Sequence, residues 1–246
     1  MKAYSRNIVW FAMYSAKLLS QIPNIDHGFC LPMEEAVPAD TFYLQQQHSS
    51  QVVQIVGHEK TGELNADAVL THSNRPVSVI TADCLPILVG STSGSFAAAI
   101  HAGWRGLMNG VIANSLSAFS TAGIAQESLR IAIGPGIMAC CYEVPKELTD
   151  QLQLTHGRLW SETQPPWFGS RPPHNVESAQ ASHGEAWLSL IRYCKLLLMA
   201  EGIESSQIEA SNLCTYCSGQ GFGSYRRRQH LQQPKSFQYS WIRCLD

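Results

Sequence analysis

Three residues of this 246-residue chain carry side chains suited to a borderline transition metal: His48, Cys84 and His101. Zinc favours thiolate sulfur and imidazole nitrogen, and a catalytic zinc takes three protein ligands and leaves a fourth position to water or substrate. The three lie 36 and 17 residues apart. That is no finger spacing, so each must come from a different strand end, and a structural role for each histidine stays open. The segments are Gln47-His48-Ser49, Thr81-Ala82-Asp83-Cys84-Leu85-Pro86 and Ile100-His101-Ala102-Gly103-Trp104-Arg105-Gly106. In the last, Arg105 stands among Gly103, Gly106 and Gly110. Glycines let backbone approach a ligand closely, and an arginine fork can hold a phosphate or carboxylate. A helix starting near Gly110 would aim its N-terminal amides at the same anion. The plain alternative is a strand-to-helix turn with a solvated arginine.

Eight cysteines are too few for a disulfide scaffold. With no secretory segment in view, reduced thiols are expected. Cys140 and Cys141 are neighbours and are not expected to bridge each other. Cys214-x-x-Cys217 has the spacing of a redox or zinc half-site, but no second pair at finger spacing accompanies it. Downstream, Arg226-Arg227-Arg228 follows an aromatic and a serine, which points to an anion-binding role beyond surface charge.

Strands and helices must position these groups. Phe42–Leu44, Val52–Val56, Val77–Thr81, Pro86–Val89, Phe96–His101 and Leu129–Ile133 are short apolar runs that read as strands. Several are apolar without alternation, as strands buried on both faces are. Gly110–Ala122 and Glu185–Gly202 repeat apolar residues at helical steps. A further strand is expected near Ile208–Leu213, and a short element near Ile8–Leu19. Gly134-Pro135-Gly136 reads as a rigid turn leading into a helix. Residues 155–182, with Pro165-Pro166 and Pro172-Pro173, read as a long loop. The expected fold is a single α/β domain over residues 1–246.

Composition narrows the function. Forty-five per cent of positions are hydrophobic and the formal net charge is −2, which excludes the basic footprint of a general nucleic-acid binder. No apolar run approaches the roughly 18–20 residues of a membrane span. A soluble, cytoplasmic protein is expected.

The segments at Thr81–Pro86, His101–Gly106, Ala132–Ile137, Cys141–Val144, Cys214-Thr215 and Ser224–Arg227, taken in order, resemble the YfiH-like family, known both as purine nucleoside phosphorylase and as polyphenol oxidase or laccase. The resemblance implies a mixed β-sheet core with helices packed outside, a layered α/β sandwich. It implies zinc on His48, Cys84 and His101, with copper as the alternative metal. It also implies cleavage of adenosine, inosine, guanosine and methylthioadenosine by phosphate, releasing the base and a ribose 1-phosphate, together with deamination of adenosine. Asp83, Arg105, Arg226 and Cys141 become the expected catalytic residues, and a purine nucleoside and phosphate the expected partners of a monomer or weak homo-oligomer. The chain departs from the family in its short stretch from Gly28 to Phe42, in Ser189-Leu190 where Asp-Leu is usual, and in Arg228 where an acidic residue is usual.

Three other chemistries compete. Two histidines and a cysteine also suit a blue-copper centre, although none of the nine histidines forms the His-x-His pairs of multicopper oxidases. Cys84 could act as a nucleophile with His101 as base, or zinc could cleave an amide of a peptidoglycan precursor. Lastly, the zinc could be structural, in an interaction module.

Overall fold

In the computed structural model, residues 14–31, 37–173 and 185–245 are described. The apolar runs assemble into a six-stranded mixed sheet. Its spatial order is β12 (Ile208–Ala210), β8 (Leu129–Ile133), β6 (Leu85–Ser91), β7 (Ala97–Ala102), β4 (Ala68–Thr71) and β3 (Val52–Ile55). The inner pairs are antiparallel, and the two edge pairs, β12 with β8 and β3 with β4, are parallel. A second sheet orders β1 (Ile25–Phe29), β13 (Gln238–Cys244), β5 (Val77–Thr81) and β2 (Phe42–Tyr43). A small third sheet joins β10 (Trp167–Phe168), β11 (Ala186–Leu188) and β9 (Glu143–Val144).

The unbroken apolar runs follow from burial on both faces of the larger sheet. Val69, Leu88, Ala97, Ala99 and Ala132 face the second sheet and pack with Phe29, Phe42, Val77, Val79 and Ile242. Their neighbours Leu70, Ile87, Val89, Ala98, Ile100, Ile131 and Ile133 belong to the opposite core. That core is closed by residues of α2 (Trp104–Met108), α3 (Val111–Thr121), α4 (Lys146–His156) and α5 (Leu190–Ala200). The result is sheet on sheet on helices, a mixed α/β fold with two more sheets than the single core sheet the sequence suggested. No helix among the described residues is long and apolar enough to cross a membrane.

Several boundaries differ from the sequence reading. The helix expected over Glu185–Gly202 begins only at Leu190, because Ala186–Leu188 pair with Val144 and Glu143 or with Trp167 and Phe168, and Ser189 caps the helix by accepting from the Arg192 amide. No helix follows Gly134-Pro135-Gly136 directly; the chain runs through turns to β9 and becomes helical at Lys146. The loop expected from 155 starts as the end of α4 and a 3-10 turn at Gly157–Trp160, whose indole fills the core. Its portion from 174 to 182 lies outside the described residues, as does the first half of the element expected at Ile8–Leu19, whose later part includes the start of α1 (Lys17–Ser20).

Candidate functional site

The site lies where the chain passes from one sheet to the other. β5 ends at Thr81 in the four-stranded sheet, and β6 begins at Leu85 in the six-stranded one. The turn between them carries Asp83 at φ +86°, a left-handed conformation that a non-glycine residue adopts only when its surroundings hold it. Cys84 leaves this turn just before Leu85 pairs with Ala102 and Pro86 with His101. Antiparallel register therefore brings the start of β6 beside the end of β7. His48, at φ +57°, belongs to the loop between β2 and β3.

The three converge. One ligand atom from each of His48, Cys84 and His101 lies within 4.8 Å of the others, with Cys84 Sγ 3.7 Å from His48 Nε2. His101 is buried, Cys84 partly open and His48 exposed, so the group faces solvent on one side. The donor set, two imidazoles and a thiol, fits a borderline divalent ion with a position left for an exogenous ligand. Gly103 closes the remaining side. A Cβ there would stand 2.8 Å from Cys84 Sγ and 3.1 Å from His48 Cδ2. Gly103→Ala should therefore splay the trio and lower metal retention on dialysis, with near-wild-type far-UV circular dichroism. Retention equal to wild type would show that the trio tolerates the methyl group.

One residue missed by the sequence reading organises the trio. Asp67 is fully buried. It accepts from the Gln47, His48 and Ser49 amides at 3.1, 3.0 and 2.6 Å, and from the Ser49 hydroxyl at 2.6 Å. It also binds His101 Nδ1 at 2.8 Å. That last bond leaves His101 Nε2 for the site, the usual carboxylate support of a metal-binding histidine. Burial pushes the Asp67 carboxyl up, but the bonds from His101 and Ser49 outweigh it and hold it well below the ordinary carboxylate range. The same opposition shapes the neighbours. Burial raises the Cys84 thiol, and His101 with His48 draws it down to about 7. Burial lowers His101, and Cys84 with Asp67 raises it to about 9. Such a set stabilises thiolate, the form that binds metals. A lone Asp inside the run Ala66-Asp67-Ala68-Val69-Leu70 was the available signal, since a carboxylate in an apolar strand must be paired.

The other expected site residues are placed as follows. Asp83 turns away from the trio, accepting from Thr215 Oγ1 and the Arg226 amide, each at 2.7 Å. It thereby ties the turn that carries Cys84 to the 214–217 loop and to the start of α6 (Tyr225–Leu231). Arg226 donates to Glu143 Oε1 at 2.6 Å and lies 5.3 Å from the Tyr142 ring centroid. Arg105 is exposed, its guanidinium 4.3 Å from the Trp104 ring centroid. Burial pushes the Tyr142 phenol up, the charges of Cys84 and Asp83 add to the rise, and those of Arg226 and Arg105 oppose it. The helix adjoining the trio is α2, starting after Gly103, and not the one that follows Gly110. The arginine run divides its work. Arg227 donates to the Thr215, Tyr216 and Phe222 carbonyls, a structural role that the anion-binding expectation did not foresee, and Arg228 lies over Tyr225. Cys141 does not join the trio; it is grouped with Cys140, Cys214 and Cys217.

Residues 31–233 match the model of a family described as multi-copper polyphenol oxidoreductase laccase. The chain belongs to that family. It is 30% identical over 205 residues to the purine nucleoside phosphorylase YfiH of Shigella flexneri, an alignment covering 82% of this chain and 74% of that protein. It is 24% identical over 213 residues to adenosine deaminase RL5 from an unknown prokaryotic organism, covering 82% and 76%. The crystal structure of YlmD from Geobacillus stearothermophilus superimposes with a TM-score of 0.76 over 94% of each chain, at 20% identity. That structure shares the fold of this laccase-family chain.

Proposed function

We propose that this laccase-family protein is a zinc-dependent purine nucleoside phosphorylase with adenosine deaminase activity, whose metal is held by His48, Cys84 and His101. The observation that carries the reading is the convergence of those three side chains, backed by Asp67, in a chain with relatives named for that activity. When bound, the ion supplies Lewis acidity and positive charge at the open side of the trio. The protein's own residues do the rest. Asp67 holds the His101 ring and, through three amides, the loop that carries His48. Asp83 fixes the Cys84 turn against Thr215 and the Arg226 amide. The exposed Arg105 guanidinium offers a fork for phosphate oxygens, which lowers the cost of bringing that anion to C1′ of the ribose. Arg226, held by Glu143 beside Tyr142, adds positive charge to the same neighbourhood. Phosphate forms a bond to C1′ as the glycosidic bond breaks, and the base leaves with the electron pair and takes up a proton.

The test is incubation of the zinc-loaded protein with inosine, with and without phosphate. The expected products are hypoxanthine and ribose 1-phosphate, formed only when phosphate is present. Free ribose in place of ribose 1-phosphate, or no hypoxanthine, would reject phosphorolysis.

One geometric feature supports a second reading. Asp67, His101 and Cys84 form a chain in which the carboxylate orients the imidazole and the imidazole faces the thiol, the layout of a thiol hydrolase. Alkylation separates the two. A coordinated thiolate is protected by added zinc and exposed by chelator, whereas a nucleophilic Cys84 reacts in both states.

A further inference from the structure

Four of the seven cysteines that the reaction does not use lie together. Cys140, Cys141, Cys214 and Cys217 each offer a sulfur, all within 4.8 Å of one another. All four are buried and unbridged. Cys140 and Cys217 sulfurs are 3.7 Å apart. That is far beyond the roughly 2.05 Å of a disulfide, and it matches the edge of about 3.8 Å of a sulfur tetrahedron with metal–sulfur bonds of about 2.3 Å. Cys214 Sγ receives the Met138 amide at 3.5 Å and also the amide of Cys217, so backbone donors are aimed at a sulfur as they would be at a thiolate.

From this arrangement we infer that the protein carries a second metal site, a closed tetrathiolate zinc centre formed by Cys140, Cys141, Cys214 and Cys217. The inference is independent of the activity proposed for the histidine-containing trio. Four protein ligands leave no position for substrate, which makes the centre structural. Loading it releases the four thiol protons to solvent and leaves a net charge of −2 on the zinc and its sulfurs. Two guanidinium groups flank the site. Arg171 donates to the Cys140 carbonyl at 2.7 Å, and Arg227 donates to the Thr215 and Tyr216 carbonyls at 2.7 and 2.9 Å.

The need for such a fastening is local. Between Ile133 and Glu143, and again between Ala210 and Tyr225, the chain forms no regular strand or helix. These two irregular stretches meet through a bridge between Gly136 and Cys214 and through the Thr215 amide on the Gly136 carbonyl at 3.0 Å. The same stretches carry Thr215, which holds Asp83, and lead into Tyr142 and Glu143, which flank Arg226. A metal clasp at the cysteines therefore fixes one wall of the trio's neighbourhood without touching a reacting atom.

The experiment counts zinc per chain by elemental analysis after gel filtration in reducing buffer, for the unaltered protein, Cys84→Ala and the double variant Cys140→Ser/Cys217→Ser. About two zinc ions per chain are expected in the unaltered protein and about one in Cys84→Ala, with the remaining ion resistant to mild chelation. The double variant should lose the resistant ion and keep the labile one. Because that variant could unfold, the unaltered protein is also loaded with cobalt. The resistant ion should then show thiolate charge-transfer absorption, and all four cysteines should resist alkylation until the ion is stripped. A single zinc per chain that Cys84→Ala abolishes, rapid alkylation of the four cysteines while zinc is bound, or an intact mass lacking two hydrogens per bridged pair would overturn the assignment.

Discussion

Replacing Cys84 with alanine should remove zinc from the trio and cut phosphate-dependent release of hypoxanthine by at least about 10²-fold, the effect of losing one fixed electrostatic stabiliser. The substitution removes the only sulfur among three donors. His48 and His101 alone are a weak pair, since His48 is exposed and set by a loop. Cys84 is partly open and follows a turn fixed by other contacts, through the Asp83 carboxylate and the Ile137 amide on the Asp83 carbonyl. The fold should therefore survive, with the melting temperature of the chelated wild type. Steady-state kinetics and zinc content measured on one preparation check both halves. Turnover that persists without zinc would move the chemistry away from the trio.

Asp67→Asn should cost about 10–100-fold in zinc affinity at the trio. Five donors converge on the two Asp67 oxygens. Asparagine offers a single acceptor oxygen, and its amide N–H groups would face the amides of the 47–49 loop or the His101 ring. Each buried donor left unsatisfied costs about 1–3 kcal/mol, so the variant should also melt earlier than wild type even when zinc is removed from both. Competition against a chromogenic chelator measures the affinity and thermal denaturation the stability. An affinity unchanged by the substitution would mean that the His101 ring needs no carboxylate to orient it.

The sequence carried the trio and most of the central strands for one reason. Strands such as Leu85–Ser91 and Ala97–Ala102 are buried on both faces, so their apolar runs are uninterrupted, and the chemical residues stand at their ends. β1 and β13 were harder to read. They pair from Ile25 with Cys244 to Phe29 with Ser240, joining parts of the chain near its two ends, and the Arg243–Asp26 bond at 2.8 Å gives them the polarity of loops. Helix α4 was masked in a similar way. Its buried positions are Leu148, Thr149 and Leu152, while the rest, including the exposed Lys146–Asp150 pair, is polar.

Distance in the chain also hid the polar contacts of the site. Asp67 is 34 residues from His101, and Thr215 is 132 from Asp83, so no local pattern announces either bond. The cysteine group escaped notice because one of its pairs is adjacent in sequence, whereas zinc half-sites are sought at two- to four-residue spacing. Arg227 shows the reverse error. A run of like charges suggested an external anion, but its central member satisfies backbone carbonyls of the chain itself.

The most direct test is anomalous diffraction from crystals soaked with inosine and phosphate, recorded at the zinc and copper absorption edges. A zinc-edge peak is expected about 2.0–2.3 Å from His48 Nε2, Cys84 Sγ and His101 Nε2, with its remaining position filled by solvent or phosphate. No peak among those three atoms, a fourth protein side chain closing the shell, or a signal at the copper edge alone would contradict it.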